Sequence, residues 1–120
     1  MAREITITVT VPVHGIHCWK NAPDEVAYLR DTHRHVFYIR PTVVVMHDDR
    51  DVEFHMLQQK VSRFVRDSWP RTKGGTGHDF GEMSCEMLAR EVGTYLQAIK
   101  IQVKSVSVSE DDECFAEVCW

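Results

Sequence analysis

Three histidines lie at the ends of two strand-like segments, and their spacing is typical of a metal site. His33 and His35 flank Arg34 at the start of an apolar, β-rich run. Because successive side chains of a strand point to opposite faces, these two imidazoles would share one face of a sheet. His17 ends an earlier strand-like segment. Three neutral imidazoles suit a zinc ion that keeps one position open, so the sequence predicts a zinc site able to take a ligand.

The identity of the third imidazole is open at this point, because His14 competes with His17 for the same place. Gly15 lies between them and indicates a bulge or bend. Such a bend would change the direction of the side chains that follow it, and we therefore favour His17. A histidine pair at strand spacing also occurs on exposed strands that bind nothing. The remaining histidines are predicted to be exposed: His47, His55 and His78.

Composition limits the class of protein. The chain has 120 residues, 43% hydrophobic and 27% charged, which is typical of one folded domain over residues 1–120. The formal net charge of −4 argues against a nucleic-acid partner, because phosphate binding needs concentrated positive charge. A local basic cluster is interpreted as a solvated helix face and turn: Arg63, Arg66, Arg71 and Lys73.

The expected compartment is the cytoplasm. No apolar run approaches the roughly 20 residues that span a bilayer, and the first residues lack the apolar block of a signal peptide. We therefore expect no membrane partner. The cysteines show no CxxC spacing, which predicts reduced thiols and no all-cysteine zinc site. They are Cys18, Cys85, Cys114 and Cys119.

The first half of the chain is predicted to form two strands. Apolar residues alternate over Ile5–Val13 and again over His35–His47, which is the period of half-buried strands. Pro41 in the second strand indicates an edge position or a bulge, because proline cannot donate to the ladder. A short helix is expected between them, within Pro23–Leu29, with proline at its first position.

The second half begins with helical periodicity. Apolar stripes predict one helix from Phe54 to about Trp69 and another over Met83–Ile99, with Ser84 as its N-cap. The glycine-rich segment Pro70–His78 between them is either a mobile loop on the substrate side or a simple connection.

Two further strands are predicted over residues 101–108 and 115–118, joined by an acidic turn. The order of elements is therefore β-β-α-α-β-β. Such an order predicts an α+β fold with an antiparallel four-stranded sheet and two helices on one face.

Two glutamates have both a structural and a functional interpretation. Glu86 lies in the first turn of the second predicted helix, where an acidic residue complements the helix dipole. A carboxylate there would also accept two N–H groups from an amino-pyrimidine edge. Glu110, at the end of the third predicted strand, has the same functional interpretation, and its structural alternative is a solvated turn residue.

Five segments, in chain order, carry a family resemblance. They are GIHCW at 15–19, HRHVF at 33–37, DVEFHML at 51–57, SCEMLA at 84–89 and VSVSE at 106–110. They resemble the tunnelling-fold (T-fold) family of 6-pyruvoyl-tetrahydropterin synthases and the related QueD enzymes, 6-carboxy-tetrahydropterin synthases. In that family a histidine follows the first strand, an HxH motif opens the second, and a [ST]-x-E motif starts the second helix.

The resemblance implies a site as well as a fold. His17, His33 and His35 would hold zinc, while Glu86 and Glu110 would bind a pterin or purine-like base. It also implies a homo-oligomer, since the family assembles its units into barrels with sites at subunit contacts. An open sheet edge fits such assembly, because unpaired edge strands invite partner strands.

The chain departs from the family's synthases where they carry their acid–base groups. Those enzymes have a cysteine a few residues before HxH, whereas residues 28–32 here are YLRDT. They also have an Asp-His pair after the first helix, whereas residues 64–69 are FVRDSW. Three residues are candidate replacements as catalytic proton carriers: Asp31, His78 and Asp79.

Two functions follow as hypotheses. One is a zinc-dependent lyase or synthase-like enzyme acting on a pterin or related purine-derived substrate. The other is a non-catalytic protein of the same fold that binds or sequesters a pterin, deazapurine or nucleotide, which the missing cysteine and Asp-His pair favour. A structural oligomer with incidental histidines is a third interpretation.

Overall fold

The computed structural model describes residues 3–120, which form six strands and three helices. The strands are β1 (Ile5–Thr8), β2 (Val11–His17), β3 (His33–Val45), β4 (His78–Asp79), β5 (Val103–Glu110) and β6 (Cys114–Cys119). A 3₁₀ helix (Asp24–Arg30) follows β2. The α-helices are α1 (Phe54–Ser68), before β4, and α2 (Cys85–Ala98), after it.

The strands form a single mixed sheet. Its order is β4-β2-β3-β5-β6, and β1 pairs with the far end of β3. All pairings are antiparallel except that of β4 with β2, which is parallel. The α+β class is as predicted, but the expectation of a four-stranded, purely antiparallel sheet is wrong.

The first predicted strand is in fact two strands, because β3 is long enough to pair with both. Ile5 of β1 lies opposite Val45, near one end of β3, while Val11 of β2 lies opposite Ile39. The apolar residues remain at odd-numbered positions through the break between β1 and β2, and Val9 within the break is buried. Alternation alone therefore could not reveal the break.

The other unpredicted strand, β4, begins at His78, the last residue of the segment expected to be a loop. β4 contains only two residues, and they pair with Gly15 and Ile16 of β2. A strand this short has no periodicity to detect. Pro41 is also placed differently, in the central strand β3, beside a register shift at Thr42/Val43 that matches the bulge alternative and not the edge one.

Local sequence explains where the helices begin. The Glu53 side chain accepts hydrogen bonds from the backbone N–H groups of His55 and Met56 and so caps α1. The Ser84 hydroxyl accepts from the Met87 N–H at 3.1 Å, so the predicted N-cap of α2 is confirmed. Each cap satisfies backbone donors that the first turn of a helix leaves free.

Both α-helices contact one face of the sheet, and the core lies between them and that face. The fully buried side chains include Phe37, Ile39, Leu57, Val61, Leu88, Val92, Leu96, Val106 and Val108. In the β2/β3 ladder, Val13 lies opposite Phe37, and the next pairs on the same face are Gly15 with His35 and His17 with His33. The histidines therefore continue the core face at its end.

Among residues 3–120, no helix combines the length and the apolar character that a membrane crossing would require.

Candidate metal centre

The register of β2 and β3 brings three imidazole rings together. His17 lies directly opposite His33, and His35 lies two positions along the same face. The ring centroids are 4.6 Å apart for His17 and His33, 5.2 Å for His17 and His35, and 5.0 Å for His33 and His35. His17 is buried and the other two are partly buried. The rings thus meet at the edge of the core.

A carboxylate from the neighbouring strand completes this group. Glu110 ends β5 and lies opposite Phe37 of β3, on the same face as the histidines. Its Oε2 atom is 2.8 Å from Nε2 of His17 and 3.3 Å from Nε2 of His35. One ligand atom from each of the four residues lies within 4.8 Å of the others. Glu110, predicted to bind a base, therefore lies against the imidazoles.

Hydrogen bonds to the other ring nitrogen orient all three imidazoles. Nδ1 of His17 is 2.8 Å from the Met83 carbonyl oxygen, and Nδ1 of His33 is 2.8 Å from that of Asp31. Nδ1 of His35 is 2.7 Å from Oδ2 of Asp111. These oxygens accept hydrogen bonds, so each Nδ1 carries the proton and each neutral ring presents its lone pair at Nε2.

The Nε2 atoms of His17 and His35 are buried and have no hydrogen-bond partner within residues 3–120. Their close approach to Glu110 has the distance of an ion pair but not the direction of a hydrogen bond. Lone pairs and a carboxylate oxygen that face one another repel, and buried polar atoms without partners are costly. A bound cation removes both penalties, and this nitrogen-rich donor set is one that zinc prefers.

The electrostatic environment keeps His17 neutral. Burial lowers its pKa below the ordinary value of 6.5, and the Met83 hydrogen bond and Glu110 oppose that shift. The neighbouring His33 and His35 lower the pKa further. A neutral imidazole is the form that binds metals.

Asp111 is a supporting residue that the sequence reasoning missed. One carboxylate oxygen accepts from His35, and the other accepts from the Val36 N–H at 2.8 Å. The hydrogen bond from His35, followed by that from Val36, lowers the pKa of Asp111. Its φ of 54° lies in the left-handed region that aspartate tolerates better than most residues. The available signal is an acidic residue directly after Glu110, but in the sequence it is typical of a solvated turn.

A cavity of about 470 Å³ adjoins the metal centre. His17, His33 and Glu110 line one side of it, and the N-terminal turn of α2 lines another. Glu86 is exposed on that turn and faces the same cavity, together with Trp19. The volume is in the range of small-molecule sites. Three carboxylates in the wall, those of Glu82, Glu86 and Glu110, provide acceptors for the N–H groups of a ligand.

No protein-family model and no curated protein sequence matches the chain. Solved structures do match. 6-Pyruvoyl tetrahydropterin synthase from Caenorhabditis elegans superposes with a TM-score of 0.67 at 11% identity, over 98% of this chain and 96% of that one. The protein has the fold of that synthase. An uncharacterized protein from Wolinella succinogenes matches with a TM-score of 0.62 at 11% identity, over 98% of this chain and 99% of that one.

Cysteines line the cavity as well, and one of them, Cys18, directly follows His17 in the sequence. The side chains of Cys18, Cys85 and Cys114 all contribute to its wall. Burial, followed by the charge of Glu110, raises the pKa of Cys85 to about 12. Its sulfur is therefore a neutral thiol near pH 7 and not a ready proton acceptor.

The structure does not bring the three predicted proton carriers to this cavity. Asp31 has an exposed side chain, and only its carbonyl oxygen contacts His33. Asp79 uses its carboxylate to accept from the Gly81 N–H at 2.8 Å. His78 is buried, contrary to the predicted exposure, and its Nδ1 is 3.1 Å from the Trp69 carbonyl oxygen.

His14 likewise lies outside the metal centre. It is exposed and opposite Val36, on the sheet face that His17 does not share. The alternation of side chains along β2 therefore separates the two competing residues, and His17 is the one beside His33 and His35.

Proposed function

We propose that the protein holds zinc with His17, His33 and His35 and binds a pterin or purine-like heterocycle in the adjoining cavity. The observation that carries the proposal is the pair of buried Nε2 atoms without hydrogen-bond partners, at His17 and His35. All three rings have a fixed Nδ1 partner, so their free lone pairs are already oriented toward one another. Such preorganisation is typical of metal sites.

Glu110 has two compatible tasks in this proposal. Its Oε2 atom approaches the imidazoles and would serve as the fourth ligand when the cavity is empty. Its Oε1 atom has no hydrogen-bond partner among the described residues. Zinc sites that bind ligands keep one coordination position exchangeable. An entering heterocycle would therefore displace the Glu110 carboxylate from this position and donate its N–H groups to the carboxylate.

Glu86 would provide the second acceptor for the heterocycle. It is exposed and lines the cavity from the first turn of α2. A carboxylate that accepts two N–H groups selects a ligand with an amino group next to a ring N–H, and charge-assisted bonds of this kind are about twice as strong as neutral ones. Pterins and guanine-like bases present that edge.

Binding without turnover is the function that these residues support best. None of Asp31, His78 and Asp79 lines the cavity, and burial holds Cys85 as a thiol. A general base must reach the proton that it removes. Glu82 is an exposed carboxylate of the cavity wall that has no task in this proposal, whereas the other carboxylates and the imidazoles are used for the metal or the ligand.

A zinc-dependent lyase or synthase-like reaction on the same heterocycle is the second candidate, and two observations favour it. The fold is that of a pterin synthase, and the exposed Glu82 adds a carboxylate to the cavity wall that can accept a proton from the ligand. Zinc, when bound, would supply Lewis acidity to an oxygen of the ligand. In a homo-oligomer with sites at subunit contacts, a neighbouring protomer would supply further acid–base groups.

Metal analysis and ligand binding test the proposal. We expect stoichiometric zinc in the purified protein, lost in His33→Ala and retained in the control His47→Ala, which changes an exposed histidine outside the cluster. Equal zinc content in both variants would reject the site. Incubation with dihydroneopterin triphosphate, followed by product analysis, then separates the two candidates, because an unchanged but bound compound indicates binding alone.

A further inference from the structure

A second groove, of about 510 Å³, lies between β2, α1 and the segment 71–78. Its lining shares no residue with the cavity beside the metal centre. None of the lining side chains is an aspartate or glutamate, and six are basic: His14, His55, Arg63, Arg66, Arg71 and His78. We call these six residues the basic groove.

The positive character extends beyond the groove itself. An adjacent depression shares three lining residues with it and adds Arg34 and Lys73, again with no carboxylate in its wall. The shared residues are His14, Thr76 and Gly77. The whole chain has 18 acidic and 14 basic residues, so a surface of this size without acidic residues contrasts with the rest of the molecule. The sequence alone indicates only a basic helix face and turn, because His14, Arg34 and His55 come from distant segments.

Most of this charge is not neutralised by the protein. Arg63 and Lys73 have no ion-pair or hydrogen-bond partner among residues 3–120. Arg71 donates to the carbonyl oxygen of Gly75 at 3.2 Å. Arg66 is 3.2 Å from Asp67, but both side chains are exposed, and such a pair is weak in water. The guanidinium groups are therefore free to bind an anion.

One member of the groove is buried and incompletely paired. His78 is only 8% exposed, and its ring makes a single hydrogen bond, from Nδ1 to the Trp69 carbonyl oxygen. Its Nε2 atom has no partner in the described part of the chain. This nitrogen is not fully buried, so a ligand in the groove can reach it.

The wall opposite α1 is held in place by the backbone. A Cβ atom on Gly77 would lie 2.7 Å from the His14 carbonyl oxygen, so only glycine allows this approach to β2. The Thr72 N–H donates to the Gly77 carbonyl oxygen at 2.9 Å, and the Asp79 N–H donates to Pro70 at 2.8 Å. The groove is thus preformed, as binding sites commonly are.

We propose that the basic groove binds a small anion that carries two or more phosphate groups. Arginine forks match phosphate oxygens in pairs, and several around one groove favour a ligand with several phosphates. The volume suits a small molecule and not a nucleic-acid duplex. This inference does not depend on the proposed zinc site, whose residues lie elsewhere.

Calorimetric titration of the full chain with inorganic tripolyphosphate at low salt tests the inference. We expect the double variant Arg63→Gln/Arg66→Gln to bind about tenfold or more weakly, as charged hydrogen bonds are lost. The control, Arg3→Gln/Arg90→Gln, removes the same charge at exposed positions outside the groove and should bind as the wild type does. Because all four positions are exposed, we expect unchanged thermal unfolding.

The alternative outcomes are distinct. An equal loss in both double variants, or no binding by the wild type, overturns the inference. Loss of tripolyphosphate binding in His33→Ala places the anion at the metal centre and overturns it too, whereas unchanged binding supports the groove. Tighter binding of a single-stranded oligonucleotide, with a steep salt dependence, would make nucleic acid the ligand and reject a small anion.

Discussion

The metal centre and the basic groove are both clusters of side chains from separate segments, but only one was visible in the sequence. The metal centre is built on two adjacent strands, where a spacing of two residues places side chains on one face. The basic groove combines a strand, a helix and a loop, and no spacing rule relates such elements. In the sequence its arginines form a local charge cluster, but nothing there connects them with His14 of β2.

The two regions also differ in how closely they contact the hydrophobic core. The imidazoles of the metal centre rest on the core, since the Phe37 ring is 5.1 Å from that of His17 and 5.6 Å from that of His35. The arginines of the basic groove lie on the exposed surface of α1 and the following segment. The groove reaches Phe37 only through Val13 and through the ring of Phe80, on which His78 stacks. Loss of the Phe37 ring should therefore disturb the first region more than the second.

The largest expected effect is that of Phe37→Ala. Removing a fully buried aromatic ring typically destabilises a domain by about 3–5 kcal/mol, and Phe37 is 0% exposed. Urea unfolding measures this loss. Under conditions where the variant remains folded, zinc affinity should fall more than tripolyphosphate affinity. If both fell equally, the two regions would not be independent.

The next effect is expected at Asp111, which orients His35. Asp111→Asn keeps an acceptor for the Val36 N–H but loses the charged partner of the imidazole. Zinc affinity should fall about 10–100-fold, as it does when such outer partners are removed elsewhere. Competition with a chromogenic chelator measures it.

Asp112→Asn is the matched control in the same turn. Asp112 pairs with Arg40 at 2.8 Å and does not contact the imidazoles. An equal loss of zinc affinity in both variants would show that the turn as a whole matters and that Asp111 has no special role.

An effect of similar or smaller size is expected at Glu86. Glu86→Ala should weaken binding of a reduced pterin by about 1.5–3 kcal/mol, because hydrogen bonds to a charged group are lost. Fluorescence titration measures the change, with Glu91→Ala, an exposed acid on the same helix outside the cavity, as the control. If Glu86→Ala bound the pterin as tightly as the wild type, Glu86 would not be a ligand-binding residue, and its role would be to complement the dipole of α2.

The smallest effect is expected from pH. The pKa of His17 is lowered by burial in the folded chain, relative to 6.5. Below that pH the unfolded chain takes up the proton more readily than the folded one, so the metal-free protein should lose stability as pH falls. Urea unfolding on either side of this pH, compared with His17→Gln, measures the contribution. Stability that rises on acidification would contradict the shift.

Sequence alone indicated the α+β class, the two α-helices and the three imidazoles, because each depends on a period of two or 3.6 residues. It did not indicate the break after Thr8, since alternation continues through it, nor the two-residue strand at His78. Asp111 and Cys85 were missed for a different reason. Their contacts with the site arise from a hairpin and a helix terminus that only tertiary packing brings to the histidines.

The central claim is that three imidazoles bind zinc directly at the metal centre. X-ray absorption spectroscopy of the zinc-loaded protein tests it directly. We predict three imidazole nitrogens at about 2.0–2.1 Å from zinc, with oxygen as the remaining ligand, and one imidazole fewer in His35→Ala. A sphere that contains sulfur from the cavity cysteines, or one unchanged in that variant, would contradict the account.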